Sequence, residues 1–189
     1  MRILAGALIA LLVAGCAQAN PPRPAEPRAT ASGTEAPPAK LKGASCKGGG
    51  GGNARNIPDF VGIDVESGGG VDRVTFRFRP APGVNQPPSH YVKFSEELFT
   101  GEEGREADIA GKFFVQVVFG ARGVDLTGTE PVEIFTGPKE LTPGYGTVVE
   151  VEQLGDFEST VTWGIGLSRR ACFRVDASAD RLVVEFPSG

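Results

Sequence analysis

The sequence TVVEVEQLGDFESTVTWGIGLSRRACFRV, residues 147–175, decides the fold. In its first part Val149 and Val151 alternate with glutamates, and a period of two is typical of a half-buried strand. Residues 154–158 then predict a turn, a second strand follows, and another turn leads into a third apolar face. The apolar face of the second strand consists of Val161, Trp163, Ile165 and Leu167. We therefore predict a three-stranded meander around Trp163, the only tryptophan of the chain.

Upstream of this stretch, short apolar or alternating segments are separated by turn signals. In residues 71–79, apolar side chains point to one side and arginines to the other, as in a strand with one buried face. Residues 112–120 are apolar on both faces, which suits a central strand. The other predicted strands are residues 60–66, 91–94, 131–135 and 180–187. The sequence thus predicts an all-β fold, a β-sandwich of about nine mainly antiparallel strands preceded by a disordered linker.

Residues 1–15 have the features of a lipoprotein signal peptide. Arg2 supplies a short positive segment, and the apolar run after it is too short to cross a bilayer as a helix. The run ends in VAGC, residues 13–16, a lipobox in which small residues fit the signal peptidase. We expect the thiol of Cys16 to take a diacylglyceryl group. A second acyl chain, such as palmitate, then makes membrane anchoring stable, because one chain alone binds only marginally.

Residues 16–56 are predicted to be the lipidated cysteine and a disordered linker, and residues 57–189 the folded domain. Prolines crowd the first part of the linker, and residues 48–52 are consecutive glycines. This composition favours an extended or flexible chain that spans roughly 35 Å. We expect the linker to carry the domain away from the outer face of the membrane.

The residue inventory argues against catalysis and against several partners. His90 is the only histidine, which argues against a serine-type triad and a multi-histidine zinc site. Carboxylates crowd residues 96–108, but such runs are usually solvated surface. A formal net charge of −4 argues against nucleic acid, which selects basic proteins. We therefore assign no catalytic residue, metal or cofactor.

Arginines are the first candidates for contact with a ligand. Arg73 and Arg77 lie on the outward side of a predicted strand, and Arg169 and Arg170 follow the strand that contains Trp163. Guanidinium groups bind carboxylates and phosphates through two parallel hydrogen bonds. The alternative is that they pair with carboxylates of neighbouring strands, and we favour pairing for most of them.

A groove and a turn add three more candidates. Gly164 and Gly166 lie on the face opposite Trp163, and two glycines leave a groove where a backbone, a loop or a ligand approaches closely. Tyr145 lies in the turn Pro-Gly-Tyr-Gly, where its ring is placed for stacking, although turn tyrosines are common without function.

Two cysteines remain once Cys16 is lipidated, and they predict a disulfide between Cys46 and Cys172. The compartment beyond the membrane permits oxidation. Cys172 lies opposite the apolar face of Phe173, and Cys46 lies in a linker that reaches it. The bond would pin the end of the linker to the sheet.

The stretch GDFESTVTWGIGLSRRACFRV, residues 155–175, resembles the AMIN-like domain of secreted actinobacterial lipoproteins. The resemblance continues through VDRVTFRF, HYVKF, DIAGKFFVQVVFGARGVDL, FTGP and RLVVEF, and it covers nearly all of residues 57–187. This family is named for its similarity to the AMIN domain of cell-wall amidases, a β-sandwich that targets proteins to peptidoglycan. The resemblance implies a β-sandwich and an extracytoplasmic location.

Taken together, we expect a non-catalytic, lipid-anchored module that binds peptidoglycan or a wall-associated protein. One alternative is an extracytoplasmic carrier of a small apolar or anionic ligand, which a closed apolar cavity with no exposed groove would favour. A weaker alternative is a carboxylate-dependent glycan hydrolase, which two carboxyl groups about 5–10 Å apart across a deep cleft would favour.

Overall fold

The computed structural model describes residues 41–101 and 104–188, which form an all-β domain. None of the described residues belongs to a helix long and apolar enough to span a membrane. The strands are β1 (Gly49–Gly51), β2 (Asp59–Gly68), β3 (Val71–Arg79), β4 (His90–Ser95), β5 (Phe99–Thr100), β6 (Arg105–Glu106), β7 (Phe113–Gly120), β8 (Val124–Asp125), β9 (Val132–Glu133), β10 (Glu140–Leu141), β11 (Val148–Phe157), β12 (Thr160–Leu167), β13 (Arg174–Ala177) and β14 (Arg181–Pro187). Five of them have only two residues, which leaves nine longer strands.

Two antiparallel sheets face each other across one core. The six-stranded sheet has the order β1-β4-β7-β12-β11-β10, and the four-stranded sheet has the order β13-β14-β3-β2. Two short ribbons, β5-β6 and β8-β9, lie outside these sheets. Residues 112–120 were predicted to be a central strand, and β7 indeed lies between β4 and β12. The predicted β-sandwich is confirmed.

The core is centred on Trp163, as the alternating pattern of β12 predicts. All four apolar side chains on the inner face of β12 are fully buried. The Trp163 ring lies 5.8–6.0 Å from three phenylalanine rings of other segments. These rings belong to Phe60, Phe76 and Phe135. Such offset and edge-on contacts between aromatic rings add to the stabilisation that burial provides.

The inner face of β11 differs from the prediction, which placed Val149 and Val151 together. A β-bulge lies between Val148 and Glu150 in the pairing of β11 with β12. The extra residue shifts the alternation by one, so that Val148 and Val151 are both fully buried in the core. Because a bulge changes which residue faces inward, strict alternation assigns the wrong valine.

The turn predicted at residues 154–158 is wrong. β11 continues through Phe157, with a second bulge between Gln153 and Gly155. The chain reverses at Glu158 and Ser159, whose φ angles of 49° and 61° lie in the left-handed region. Two consecutive residues with positive φ form the type of turn whose twist matches antiparallel strands.

The third strand of the predicted meander belongs to the opposite sheet. β13 pairs with β14 in the four-stranded sheet, whereas β11 and β12 pair in the six-stranded sheet. Phe173, just before β13, is buried in the shared core. The chain therefore crosses between sheets after β12, and the meander has only two strands.

The glycine run at residues 48–52 was predicted to be flexible linker, and this prediction is wrong. β1 (Gly49–Gly51) pairs with β4 at the edge of the six-stranded sheet. At Gly52, φ is +84° and a side chain would clash with the Pro88 carbonyl oxygen, so only glycine fits. Residues 41–47 and 53–56 of the predicted linker also contact the domain, through the bridges Ser45–Phe173 and Asn53–Pro88, and residues 16–40 lie outside the described residues.

A disulfide fixes this amino-terminal edge to the domain. It joins Cys46 and Cys172, whose Cα atoms are 4.5 Å apart and which are separated by 126 positions in the sequence. Next to it, the backbones of Ser45 and Phe173 exchange hydrogen bonds of 2.8 and 3.2 Å. The bond closes a long loop between the start of the described chain and the segment that crosses to β13.

Replacing both Cys46 and Cys172 by serine is expected to lower the free energy of unfolding by about 2–4 kcal/mol, because the bond restricts the unfolded chain. Urea denaturation with and without reductant measures the change. The reductant should destabilise the wild-type protein and leave the double variant unchanged. Two titratable thiols from these positions in the denatured, unreduced protein would contradict the bond.

Candidate functional site

Arg73 and Arg77 are used in cross-strand pairs on the outer face of the four-stranded sheet. Arg73 donates from Nε and Nη2 to Glu185 at 2.9 and 2.8 Å, and Arg174 donates from Nε to the other oxygen of Glu185 at 2.7 Å. Arg77 Nε lies 2.7 Å from Asp64. Burial opposes ionisation of Glu185, but the two arginines outweigh it and lower its pKa. These arginines stabilise the sheet, which is the alternative that the sequence left open.

Gly164 and Gly166 do form a groove, and a loop of the same chain fills it. A side chain at Gly164 would lie 2.5 Å from Ile109 Cδ1 and 2.7 Å from Leu98 Cδ1, and one at Gly166 would clash with the Ala110 carbonyl oxygen. Leu98 and Ile109 form a second small apolar cluster on this outer face, together with Leu154. Of the occupants that the sequence left open, a backbone, a loop or a ligand, the structure shows a loop, which fills the groove with Leu98, Ile109 and Ala110.

Arg169 and Tyr145 bind to backbone carbonyls rather than facing open solvent. Arg169 Nη2 donates to the Pro187 carbonyl at 2.9 Å, and the Tyr145 hydroxyl donates to the Val65 carbonyl at 3.4 Å. Both side chains are half-buried. These contacts attach the turns at this end of the sandwich to β14 and β2, which is a structural role.

Arg170 differs from the other arginine candidates. It is exposed, and its guanidinium carbon lies 4.9 Å from the centre of the Phe94 ring, a cation–π contact. Within residues 41–101 and 104–188 it forms no ion pair. Its charge is therefore available to a ligand, whereas those of Arg73 and Arg77 are neutralised by carboxylates.

Arg170 lies at the edge of a cleft of about 490 Å³, which we call the anion cleft. Its lining residues are Phe94, Ser95, Glu96, Lys112, Phe113, Phe114 and Arg170. Two cations thus line it against one carboxylate. Lys112 is exposed, and its backbone N–H donates to the Leu167 carbonyl at 2.7 Å, which fixes its position next to the end of β12.

The arrangement suits a group that carries negative charge and some apolar surface. Two cations attract a carboxylate or phosphate, and the phenylalanine rings offer apolar surface beside them. Sequence reasoning identified Arg170 but missed Lys112 and Phe113, because these residues read only as the start of a central strand. The one available signal was that Lys112 is a charged residue directly before an apolar strand.

Two carboxylates outside the anion cleft, Glu150 and Glu152, lie on the outer face of β11. Glu150 is nearly buried and accepts a hydrogen bond of 2.7 Å from the backbone N–H of Ala110. Burial, followed by the charges of Glu150, Glu140 and Asp108, raises the pKa of Glu152. In the part of the chain that the structure describes, no three histidine, cysteine or acidic side chains are placed to hold a metal ion.

The two antiparallel sheets packed across one core define the class of this protein as a β-sandwich. The profile of the AMIN-like domain matches residues 59–188, and the chain belongs to this family. Membership places it among modules of the cell envelope. No curated protein and no solved structure gives a significant match to the chain.

Proposed function

We propose that this chain is a non-catalytic, lipid-anchored module that recognises peptidoglycan or a wall-associated partner through the anion cleft. The observation that carries this proposal is the pair of exposed cations, Arg170 and Lys112, in one cleft walled by aromatic rings. Peptidoglycan offers a matching chemistry, because its stem peptides carry carboxylates. Family membership supports the envelope as the location.

Recognition by this cleft is weak at each site. An exposed ion pair contributes about 1 kcal/mol or less, and salt screens it. A cell wall presents the same group many times, so a protein held near it rebinds readily, and the membrane anchor raises the effective concentration further. Binding is therefore expected to be salt-sensitive and to depend on repeated sites.

The carrier alternative has less support. A carrier needs a closed apolar cavity, whereas the anion cleft opens to solvent and contains three charged side chains. An open cleft can bind one charged group of a larger polymer, because the rest of the polymer can extend out of the cleft into solvent.

The Arg170→Ala/Lys112→Ala variant is expected to retain less than about a fifth of the wild-type affinity for purified peptidoglycan at low salt. Co-sedimentation at low and high salt measures this loss. High salt should also reduce the binding of the wild-type protein to peptidoglycan. Arg77→Ala is the matched control, because Arg77 is an exposed arginine paired with Asp64. Equal sedimentation of the wild type and the double variant would show that this cleft is not the site.

The anchor part of the proposal rests on the lipobox at residues 13–16. Cys16→Ala is expected to block lipidation and processing, because no thiol is then available for the diacylglyceryl group. The wild-type protein should partition into a detergent phase and the variant should not lose its signal peptide. If the variant is cleaved at the same position and still partitions like the wild type, lipid anchoring through Cys16 is refuted.

A further inference from the structure

A second cleft, of about 500 Å³, lies on the outer face of the six-stranded sheet at the end far from Arg170. We call it the outer-face cleft. Its floor is formed by outward side chains of β7 and β12, namely Gln116, Thr160 and Thr162. The carboxyl-terminal end of β11 and the β5-β6 ribbon contribute its walls. It shares no lining residue with the anion cleft.

The position of the ribbon explains why this part of the sheet remains open. The Gly101 N–H donates to the Leu154 carbonyl at 2.9 Å, which attaches the ribbon to β11. Leu98 and Ile109 then cover Gly164 and Gly166. Beyond them β12 carries Thr160 and Thr162 on the same face, and both line the cleft. Glycines thus lie where Leu98 and Ile109 cover the sheet, and hydroxyl side chains lie in the cleft.

Two aromatic rings stand at the walls of this cleft. Phe99, on β5, is 49% exposed, and Phe157, the last residue of β11, is 57% exposed. A single exposed phenylalanine is ordinary, but two that line one cleft expose apolar surface together. A ligand with an apolar face would cover these rings and remove that surface from water.

The charge of the cleft selects against anions. The exposed Glu158 lines it, and none of its lining residues is a lysine or an arginine. The carboxylate of Asp156 does not add to this charge, because Asp156 pairs with the inward-facing Val161 and accepts a hydrogen bond from the Gly123 N–H. The two clefts on this sheet thus differ in charge: two cations line the anion cleft, whereas the outer-face cleft has Glu158 and no cation among its lining residues.

We propose that the outer-face cleft binds an uncharged glycan chain. Sugar rings have apolar C–H faces that stack on aromatic rings, and their edges carry hydroxyl or amide groups. Phe99 and Phe157 supply the stacking surfaces, and Thr160, Thr162 and Gln116 supply donors and acceptors for the edges. The assignment extends the proposed wall binding to a second ligand chemistry, but it stands on different residues and does not depend on the anion cleft.

The test is calorimetric titration of the full-length protein with the tetramer of β-1,4-linked N-acetylglucosamine. The wild type should bind, and Phe99→Ala and Phe157→Ala should each weaken binding by about two- to tenfold, the range of an aromatic stacking contact. Thr162→Val keeps the shape and strand preference of the side chain while removing its hydroxyl, so it should also weaken binding. Tyr91→Ala and Arg77→Ala are matched controls that should bind the tetramer like the wild type, because both side chains are exposed and neither lines the anion cleft or the outer-face cleft.

Three results would overturn the assignment. The first is no binding of the tetramer by the wild type at millimolar concentration. The second is unchanged binding by both phenylalanine variants, each shown by circular dichroism to be folded. The third is equal or tighter binding of an acidic oligomer, tetragalacturonate, which Glu158 should repel and no lysine or arginine of the cleft attracts. Because the two clefts share no lining residue, failure of the tetramer test is distinguishable from failure of the peptidoglycan sedimentation test.

Discussion

Trp163→Ala is expected to lower the free energy of unfolding by about 3–5 kcal/mol. Trp163 is fully buried, and its ring contacts those of Phe60, Phe76 and Phe135 at 5.8–6.0 Å between ring centres. Removing the indole leaves a cavity where the two sheets meet. The surrounding rings belong to different segments, so they cannot fill the cavity without losing contacts with one another.

Far-UV circular dichroism during urea denaturation measures this loss, because the variant lacks the only tryptophan and gives no indole fluorescence. Phe157→Ala is the matched control: it also truncates a large aromatic side chain of the six-stranded sheet, but one that is 57% exposed. The control should change stability by about 0.5 kcal/mol or less. A loss at Trp163 no larger than that of the control would contradict its place at the centre of the core.

Asp72→Ala is expected to lower the free energy of unfolding by about 3–5 kcal/mol, because it leaves buried hydrogen-bond donors without an acceptor. Asp72 is fully buried at the start of β3. One carboxylate oxygen accepts from the backbone N–H groups of Thr147 and Val148 at 2.7 and 3.0 Å, and the other accepts from the Ser67 hydroxyl at 2.6 Å. The carboxylate thus links the four-stranded sheet to the start of β11 in the other sheet.

The same carboxylate makes stability depend on pH. Burial opposes ionisation of Asp72, but the hydrogen bonds from Ser67, Val148 and Thr147 outweigh burial and lower its pKa below the ordinary value of 3.8. The folded state therefore binds this proton less readily than the unfolded state. The contribution of Asp72 is complete above pH 3.8 and is lost as the pH falls through the lowered pKa.

Urea denaturation between neutral pH and about pH 3 measures both effects. Asp72→Asn is the matched control, because the amide keeps one acceptor oxygen but does not titrate. Asp72→Asn should lose less stability than Asp72→Ala at neutral pH. The difference in the free energy of unfolding between the wild type and Asp72→Asn should become smaller as the pH falls. If this difference stays constant or grows, the ionised carboxylate does not stabilise the contact between the two sheets.

The candidate site was only partly predictable from the sequence. Arg170 was among the candidates because it follows a strand end, where binding residues are common. The sequence could not separate it from Arg73, since both are arginines of a β protein. Only the positions of Glu185 and Phe94 distinguish them: Arg73 meets a carboxylate, and Arg170 meets an aromatic ring. The outer-face cleft was not predicted, because its walls come from β5 and β11, which are far apart in the chain.

The sequence alone determined the class of fold and the centre of the core. Alternation within a strand is a local property, so Val161, Trp163, Ile165 and Leu167 were assigned correctly to one buried face. The tertiary structure decided which valines of β11 face inward, which sheet receives β13 and what fills the groove at Gly164. Each of these depends on another segment of the chain: a bulge is defined only against β12, β13 is placed by its pairing with β14, and the groove is filled by Leu98, Ile109 and Ala110. Local patterns specify which side chains are to be buried, whereas pairing between distant segments specifies what covers them.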